Sequence, residues 1–163
     1  MSTTLAGAEA RDAMHARIDR LSPESGRQWG TMSAHEMICH AADQLRIAMG
    51  DIETQPGPLR FRFGSRELKA PLGPLRFEFY RRIAVGWLPW PRARLGAAPE
   101  MFTTAPVEWH GDVAVLHSLV DRVGRKDVAE TWAPHPLFGR ISGREWSFLC
   151  WKHLDYHLRQ FGV

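Results

Sequence analysis

Apolar side chains recur at steps of three and four residues in four stretches of the chain, which is the spacing of one buried helix face. The stretches cover residues 5–21, 34–49, 106–123 and about 143–160. Each stretch ends beside residues that break a helix, namely Ser22-Pro23, Gly50, Gly124 and Gly162. The pattern predicts four amphipathic helices, whereas no run of alternating apolar and polar residues is convincing enough to predict a strand.

Two of the predicted helices carry a sequence signal for their first residue. Ser33 is followed by Glu36, and Ser142 is followed by Glu145. In this capping box the serine oxygen and the glutamate carboxylate each accept a backbone N–H that the helix itself leaves unpaired. We therefore expect the second helix to span about residues 34–49 and the last helix to begin directly after Ser142.

Prolines interrupt the chain between the second and third predicted helices. Seven of them fall within residues 56–99, and they prevent any long helix there. Only residues 75–87 keep a helical pattern, with Leu75, Phe79, Ile83 and Trp87 spaced by four. The sequence thus predicts an all-α fold, a four-helix bundle with a long Pro-rich crossover that carries an extra helix. A linker between two domains is less favoured, because this stretch holds many Trp and Phe side chains that need burial.

The composition narrows the class of protein. A chain of 163 residues with 44% apolar side chains forms one domain with a core of its own, here residues 1–163. No apolar stretch approaches the roughly 18 residues of a membrane span, so we expect no membrane partner. The first residues lack a basic start followed by an apolar core, and two cysteines are too few for a disulfide framework. We therefore expect a cytoplasmic protein with free thiols.

Positive charge concentrates in one segment. Residues 57–94 hold eight Arg and one Lys against two acidic residues, a net charge of +7, within a chain whose formal charge is +3. Such a segment attracts phosphates, anionic substrates, nucleic acid or a membrane surface. Because the chain uses 18 Arg and only 3 Lys throughout, a bias typical of genomic base composition, a solvated basic face is the favoured interpretation. Nucleic-acid binding is the weakest of the functional hypotheses, and no nucleic-acid partner is expected.

Three histidines are predicted to face the interior of the bundle. His153 and His157 are four residues apart on the last helix, so their side chains point to the same side. At about 100° per residue they share a face with Trp146 and Cys150. His40 lies on an apolar face of the second helix. All three imidazoles are therefore expected to be buried.

A buried neutral imidazole needs a partner for its lone pair. Ordinary hydrogen bonds often supply that partner, and an H-x-x-x-H pair alone is a weak signal for a metal. Three converging imidazoles without a carboxylate are better explained by a divalent ion, and zinc, nickel and iron all accept imidazole ligands. Three ligands leave a fourth position for water or substrate, as in catalytic zinc sites. Free imidazole has a pKa of about 6.5, so we expect metal release in mildly acidic buffer.

Three segments connect this hypothesis to a protein family: WGTMSAHEMICHAADQ (29–44), HPLFG (135–139) and WKHLDYHLRQFG (151–162). Together they resemble the DinB/YfiT-like superfamily of four-helix-bundle metalloenzymes, in its branch catalogued as domain of unknown function 1569. The resemblance covers nearly the whole chain and is weakest in the crossover. It implies an up-down-down-up bundle with its crossover after the second helix. It also implies one metal ligand from the second helix and two from the last, which map onto His40, His153 and His157.

Other histidines and two aspartates have weaker patterns. His35 stands beside the capping residues and is predicted to be a surface histidine. His117 falls on the apolar stripe of the third helix, where burial with one hydrogen bond explains it best. His135 lies in a turn before the last helix, where it can line the mouth of a pocket. Asp43 and Asp155 stand near the ligands and either orient an imidazole or stay solvated.

The remaining candidates are structural by default. Cys150 shares the histidine face, where an inert buried thiol is favoured over a further ligand, and Cys39 is predicted to lie in the core. Residues 87–91, Trp-Leu-Pro-Trp-Pro, fit a lid over the pocket, core packing or a contact with a membrane interface. Leu154 directly follows the first histidine of the pair, so the H-E-x-x-H motif of zinc peptidases is missing and that chemistry is excluded. His15 and His110 are expected at the surface.

The leading hypothesis is a divalent-metal-dependent enzyme with a three-histidine site that acts on a small anionic or thiol-bearing molecule. The reaction is of transferase or hydrolase type, and the resemblance adds a low-molecular-weight thiol as a candidate cofactor. Arg residues of the crossover can receive the substrate's negative charge. The alternative is a non-catalytic bundle that binds metal or a ligand, because no general acid or base can be assigned. Enzyme activity therefore stays open, and both a monomer and a homodimer fit a bundle of this size.

Overall fold

The computed structural model describes residues 4–54, 59–63, 66–70, 90 and 99–163. Within these residues lie four α-helices, namely α1 (Ala8–Ile18), α2 (Ala34–Met49), α3 (Trp109–Arg125) and α4 (Gly143–Gln160). A short 3-10 helix, Pro99–Phe102, precedes α3. The four helices predicted from the apolar pattern are confirmed. The extra helix predicted over residues 75–87 lies outside the described residues.

The two capping boxes set the first residues of α2 and α4 as predicted. Ser33 accepts the N–H of Glu36 through its hydroxyl oxygen, and the Glu36 carboxylate accepts the N–H of Ser33 at 2.7 Å. Ser142 and Glu145 make the same pair of bonds before α4. Gly50 ends α2 with a φ of 83°, a left-handed conformation that favours glycine. Local hydrogen bonding therefore fixes both helices that carry the predicted ligands.

Helices α1 and α3 depart from their predicted limits. Leu5 precedes α1 as a buried loop residue, and its N–H donates to the carbonyl of Ser147 at 3.4 Å. Glu108 caps α3 by accepting the N–H groups of His110 and Gly111, so this helix begins later than predicted. Gly124 does not end α3, as the sequence predicted, but lies inside it. A Cβ there would be 2.6 Å from the Leu5 carbonyl oxygen, so glycine is needed for close packing.

Side-chain contacts fix the relative directions of the helices. Along α1 and α4 the contacts advance together, from the Ser147 hydroxyl, which accepts the Ala6 N–H at 3.1 Å, to Asp155, which pairs with Arg17 at 2.7 Å. These two helices are parallel. Helices α1 and α3 are antiparallel. Arg11 donates to the Gly124 carbonyl at 3.5 Å, whereas Asp19, directly after α1, bonds to His117, earlier in α3.

Helices α2 and α3 are parallel to each other and opposite to α1 and α4. His35 near the start of α2 pairs with Asp112 near the start of α3, and Asp51 just after α2 pairs with Arg122 near the end of α3. Helix α2 is antiparallel to α4, since Gln44 contacts Cys150 while the earlier His40 lies beside the later His157. Along the chain, the four helices therefore run up, down, down and up.

Apolar side chains of all four helices form one buried cluster. Helix α2 is the most deeply packed element, and twelve of its sixteen residues are buried. Trp146 of α4 is fully buried, and its indole N–H donates to the Ala133 carbonyl at 2.7 Å, which satisfies its one polar atom. The histidine face of α4, which includes Trp146, is therefore buried.

A β-hairpin follows α2, where the sequence predicted no strand. Strands β1 (Leu59–Phe63) and β2 (Arg66–Ala70) are antiparallel, with Leu59 opposite Ala70 and Phe63 opposite Arg66. The expectation of a purely helical pattern was therefore wrong for this stretch. The signal was present in the sequence, since Leu-Arg-Phe-Arg-Phe alternates apolar and basic residues and only Gly64 and Ser65 separate the two runs. The prolines on both sides of these runs argued against a strand in the sequence analysis.

Among the helices that the structure describes, none combines the length and the apolar composition needed to cross a membrane. The basic segment 57–94 lies mostly outside the described residues, so its favoured interpretation as a solvated face stays a prediction. Of this segment the structure describes the two strands and Trp90, which packs against the core.

Candidate metal centre

The three predicted ligands converge inside the bundle. One ligand nitrogen each from His40, His153 and His157 lies within 4.8 Å of the other two, and all three residues are buried. The ring centroids are 4.9 Å apart for His40 and His153, 4.8 Å for His40 and His157, and 4.5 Å for His153 and His157. The prediction that imidazoles from two helices meet in the interior is confirmed, and this group could hold a metal ion.

A backbone carbonyl fixes the orientation of the His40 ring. Its Nδ1 lies 2.8 Å from the carbonyl oxygen of Met101, and because that oxygen only accepts, Nδ1 carries the proton. The lone pair of neutral His40 is therefore on Nε2. Phe102 stacks on the same ring, with centroids 4.6 Å apart and planes 21° from parallel. The 3-10 helix thus holds the His40 ring through one hydrogen bond and one stacked side chain.

Gln160 fixes the His157 ring in the same way. The Nδ1 of His157 donates to the Gln160 Oε1 at 3.0 Å, and the Gln160 Nε2 donates to the Trp29 carbonyl at 2.6 Å. Since the amide nitrogen is engaged with Trp29, its oxygen faces the imidazole. Gly30 permits this approach, because a Cβ there would lie 2.3 Å from the Gln160 Nε2. Neutral His157 therefore also keeps its lone pair on Nε2.

His153 differs from the other two ligands. Its Nδ1 is buried and has no hydrogen-bond partner among the residues that the structure describes. Leaving a buried polar atom unpaired costs about 1–3 kcal/mol. A divalent ion would satisfy a nitrogen of this ring, and neutral imidazole is the ligand that zinc, nickel and iron accept. The residues present therefore fit a metal ion of this class.

Burial keeps all three imidazoles in the neutral form that binds metals. Desolvation is the main cause in each, and it lowers the pKa of His157 to about 3 with a further effect from His40. Burial and the neighbouring His157 hold the pKa of His153 well below its ordinary value. Burial also lowers the pKa of His40, against the opposing effect of its bond to Met101. The expectation of metal release in mildly acidic buffer is therefore revised, and release is expected at more acidic pH.

Asp43 supports the centre indirectly. Its fully buried carboxylate accepts the backbone N–H groups of Thr103 and Thr104, both at 2.8 Å, and both threonine hydroxyls. Arg46 donates to the same carboxylate at 3.0 Å. These bonds anchor the segment that brings Met101 to His40.

Neither aspartate orients an imidazole of the centre directly, as the sequence left open. Burial by itself raises the pKa of Asp43, but hydrogen bonds from Thr104, Thr103 and Arg46 outweigh it and hold the pKa below its ordinary value. Asp155 pairs with Arg17 and Arg159 instead, and so ties α1 to α4. The groups that orient the ligand rings are a carbonyl and an amide, which the sequence analysis did not identify.

Aromatic side chains surround the centre. The Trp90 ring centroid lies 6.0 Å from that of His153 and 5.8 Å from that of Tyr156. The ammonium group of Lys152 lies 5.3 Å from the Trp90 centroid, and burial lowers its pKa to about 8. Trp90 is the one residue of 87–91 that the structure describes, and its position against the core and beside His153 fits both core packing and a lid.

His135 lies next to the centre and is not part of the ligand group. Its Nδ1 accepts the N–H groups of Leu137 and Phe138, at 3.0 and 3.2 Å. Its ring packs against Phe138 and Trp146, and burial lowers its pKa to about 3. It lies close enough to affect the pKa of His153.

The cysteine expectations agree with the structure in part. Cys150 is fully buried, accepts a hydrogen bond from the Gln44 amide at 3.7 Å, and is absent from the ligand group. Burial raises the pKa of its thiol to about 12, so it is an unreactive core thiol. Cys39 is also buried, as predicted, and burial together with Asp112 raises its pKa to about 11. Unlike Cys150, it belongs to a second group of possible ligands, with His35 and Asp112.

The other histidines form surface pairs. His117 is partly exposed, and the prediction of burial with one hydrogen bond was wrong. It bonds to Asp19 at 3.0 Å, and its Nδ1 lies 2.5 Å from the Nδ1 of His15. His15 reaches Asp121 at 3.1 Å, so the pair joins α1 to α3. His110 is exposed, as predicted.

Comparisons of the chain with protein-family models, with curated proteins and with solved structures found no match. Membership of the DinB/YfiT-like superfamily therefore stays a prediction made from the sequence.

Proposed function

We propose that this chain is a divalent-metal-dependent enzyme of the DinB/YfiT-like superfamily, in which His40, His153 and His157 hold the ion. The supporting observation is the convergence of three buried, neutral imidazoles, two of them with Nδ1 bound to fixed acceptors. Such rings leave Nε2 free for an ion. Packing alone gives no benefit for burying the unpaired Nδ1 of His153.

The chain's own residues would prepare this centre. Met101 and Gln160 fix the tautomers of His40 and His157, an arrangement that typically raises metal affinity. Trp90 and Tyr156 exclude water from one side. A bound divalent ion would supply Lewis acidity that favours the deprotonated, nucleophilic form of water or of a thiol at its open position. Three protein ligands suit this role better than a closed structural site.

The surroundings of the centre support the proposed substrate class. Lys152 places positive charge beside the ring that covers His153, which favours an anionic group on the substrate. A small molecule with an anionic or thiol group would suit an aromatic rim of this kind. Transferase and hydrolase reactions are both consistent with these residues, and a low-molecular-weight thiol is the cofactor to test first.

A non-catalytic bundle that binds metal or a ligand is the second candidate function. The observation that favours it is the engagement of Asp43 and Asp155 in structural bonds away from the imidazoles. Neither carboxylate is then positioned as a general acid or base. A metal-replete protein that binds small thiols without turnover would support this candidate.

Elemental analysis of untagged protein, purified without chelators, tests the metal assignment. We expect stoichiometric divalent metal in the wild type and a loss at this centre in His153→Ala. The exposed His110 offers a matched control, and His110→Ala should keep the wild-type content. Equal metal content in His153→Ala and the wild type would overturn the assignment. Assays of thiol transfer and hydrolysis on the metal-loaded protein, with His153→Ala as the blank, then separate the two candidate functions.

A further inference from the structure

A second group of metal-binding side chains lies on another face of α2. His35 and Cys39 are four residues apart on this helix, and Asp112 faces them from α3. One ligand atom of each lies within 4.8 Å of the other two. At about 100° per residue, Cys39 points away from His40 by roughly a quarter of a turn or more. The two groups therefore lie on different faces of the same helix.

Asp112 is the centre of this second group. Its Oδ2 accepts from the His35 Nε2 at 2.7 Å and from the Val107 N–H at 3.0 Å, and one of its oxygens lies within 4.8 Å of the Cys39 sulfur. Cys39 is buried, whereas the side chains of His35 and Asp112 are 21% and 19% exposed. The group is thus closed on the side of the core and open to solvent at its rim.

The arrangement does not suit a catalytic cysteine. In a Cys-His-Asp triad the imidazole lies between the thiol and the carboxylate, so that it can remove the thiol proton. Here the Asp112 carboxylate engages the His35 Nε2, and among the described residues no hydrogen bond joins His35 to the thiol. The thiol also lies on the buried side, away from any substrate. Nucleophilic catalysis by Cys39 is therefore not supported.

We propose that His35, Cys39 and Asp112 form a second site for a zinc-like divalent ion, which joins the first two turns of α2 to the first turn of α3. Nitrogen, sulfur and carboxylate oxygen are all zinc ligands, and this mixed set excludes magnesium and calcium, which prefer oxygen alone. Binding releases the Cys39 thiol proton to solvent, whereas the neutral His35 ring keeps its one proton on the nitrogen that does not bind the ion. The thiolate and carboxylate then balance the two positive charges of the ion.

The surroundings support a structural role for this site. Trp109, the first residue of α3, packs its ring edge-on against His35, with centroids 5.5 Å apart and planes 76° apart. This contact positions His35, and the Val107 N–H positions Asp112, so two of the three proposed ligands are already fixed without an ion. Solvent at the exposed rim can complete the coordination. The proposal does not depend on the function of the first site.

Titration with Co²⁺ tests the proposal, because a cobalt–thiolate bond gives a charge-transfer absorption in the near ultraviolet that imidazole ligands do not give. The chain has two cysteines, so Cys150→Ser serves as the matched control. We expect the band in the wild type and in Cys150→Ser, and its loss in Cys39→Ser. No band at saturating Co²⁺, or a band that survives Cys39→Ser, would overturn the proposal.

Two further variants keep the result decisive. If Cys39→Ser fails to fold by circular dichroism, Asp112→Asn removes a donor at a partly exposed position instead. It should weaken Co²⁺ binding, read from the same band, by about 10–100-fold. Unchanged affinity would count against the site. His153→Ala should keep the band while bound cobalt falls, so a failure of the first site is distinguishable from a failure of the second.

Discussion

The Gln160 side chain, one turn further along α4, accepts a hydrogen bond from the Nδ1 of His157. Its amide cannot turn away from that ring, because the amide nitrogen donates to the Trp29 carbonyl. The loop before α2 thus sets the tautomer of a residue near the end of α4. Metal affinity should depend on this bond even though Gln160 is not a ligand.

We predict that Gln160→Leu lowers metal affinity by about 10–100-fold, because His157 loses the acceptor that fixes its ring. Competition with a chromophoric chelator measures the change. Gln44→Leu is the control, since Gln44 is as buried as Gln160 but its amide nitrogen donates to the Cys150 thiol rather than holding a ligand ring. Gln44→Leu should leave the affinity within about threefold. An equal loss in both variants would show that the effect is one of packing.

Gly30 should tolerate no side chain. Its φ of 83° costs a non-glycine residue about 1–2 kcal/mol, and a Cβ would in addition displace the Gln160 amide. Gly50 has the same φ, but a Cβ there would make only an ordinary contact of 3.8 Å with Ala133. We expect Gly30→Ala to lose both stability and metal affinity, and Gly50→Ala to lose stability alone. Urea unfolding and metal titration together distinguish these outcomes.

Asp43→Asn should destabilise the protein by about 3–5 kcal/mol, because the amide cannot accept from all the donors that now surround the carboxylate. Asp51→Asn is the control. Its partner Arg122 is half exposed, so the expected loss is about 1 kcal/mol or less. Asp43→Asn should also weaken metal binding, since the segment carrying Met101 loses its anchor. Chemical denaturation and metal titration measure the two effects.

The effect of Asp43→Asn should depend on pH. Its pKa is lowered in the folded protein, so the stabilisation is present above the ordinary Asp pKa of about 4 and is lost as the pH falls through the folded value. The difference in unfolding free energy between wild type and variant should therefore shrink in strong acid. A constant difference down to pH 3 would contradict this explanation.

Zinc binding at the three-histidine centre should release few protons at pH 6. Free imidazoles of ordinary pKa would together release about two protons at that pH. Because burial lowers the pKa of His40, His153 and His157, the folded centre carries fewer protons than free imidazoles, and release should fall clearly below that number. Calorimetry in buffers of different ionisation enthalpy measures the number. Cys39→Ser is the background for this experiment, since a thiol ligand would add a proton of its own.

The lowered imidazole pKa values also predict how the metal-free protein responds to pH. Below about pH 6.5 the unfolded chain binds protons that the buried histidines do not bind. The unfolding free energy should therefore fall as the pH falls from that value toward the folded pKa, which is about 3 for His157. Replacing His157 by Gln should flatten this part of the curve. An unchanged slope would show that other groups dominate.

Local signals account for the parts of the fold that the sequence predicted well. The capping boxes at Ser33 and Ser142 involve residues three positions apart, so the first turns of α2 and α4 could be placed from the sequence. Gly124 looked like a helix end by the same rules. Glycine is needed at position 124 because the Leu5 carbonyl lies against it. Leu5 is more than a hundred positions away, so no local sequence pattern could reveal this contact.

The three-histidine centre likewise has features that the sequence could predict and features that it could not. The inward direction of His40, His153 and His157 follows from helix periodicity and needed no tertiary information. The acceptors Met101 and Trp29 act through backbone carbonyls, which every residue possesses, so their identity leaves no trace in the sequence. Gln160 was visible only as a polar residue on a buried face. His35 and Cys39 have the same four-residue spacing as His153 and His157. This spacing was not used in the sequence analysis, because His35 was predicted to lie at the surface.

His40 and His153 stand 113 positions apart in the chain, on antiparallel helices. An ion held by both would close a loop through the unfolded polypeptide, as a disulfide does, and would reduce the conformational entropy that unfolding gains. Unlike a disulfide, this link can be opened by a chelator and restored by adding the ion. Resistance to heat and to proteases would then follow the supply of free metal.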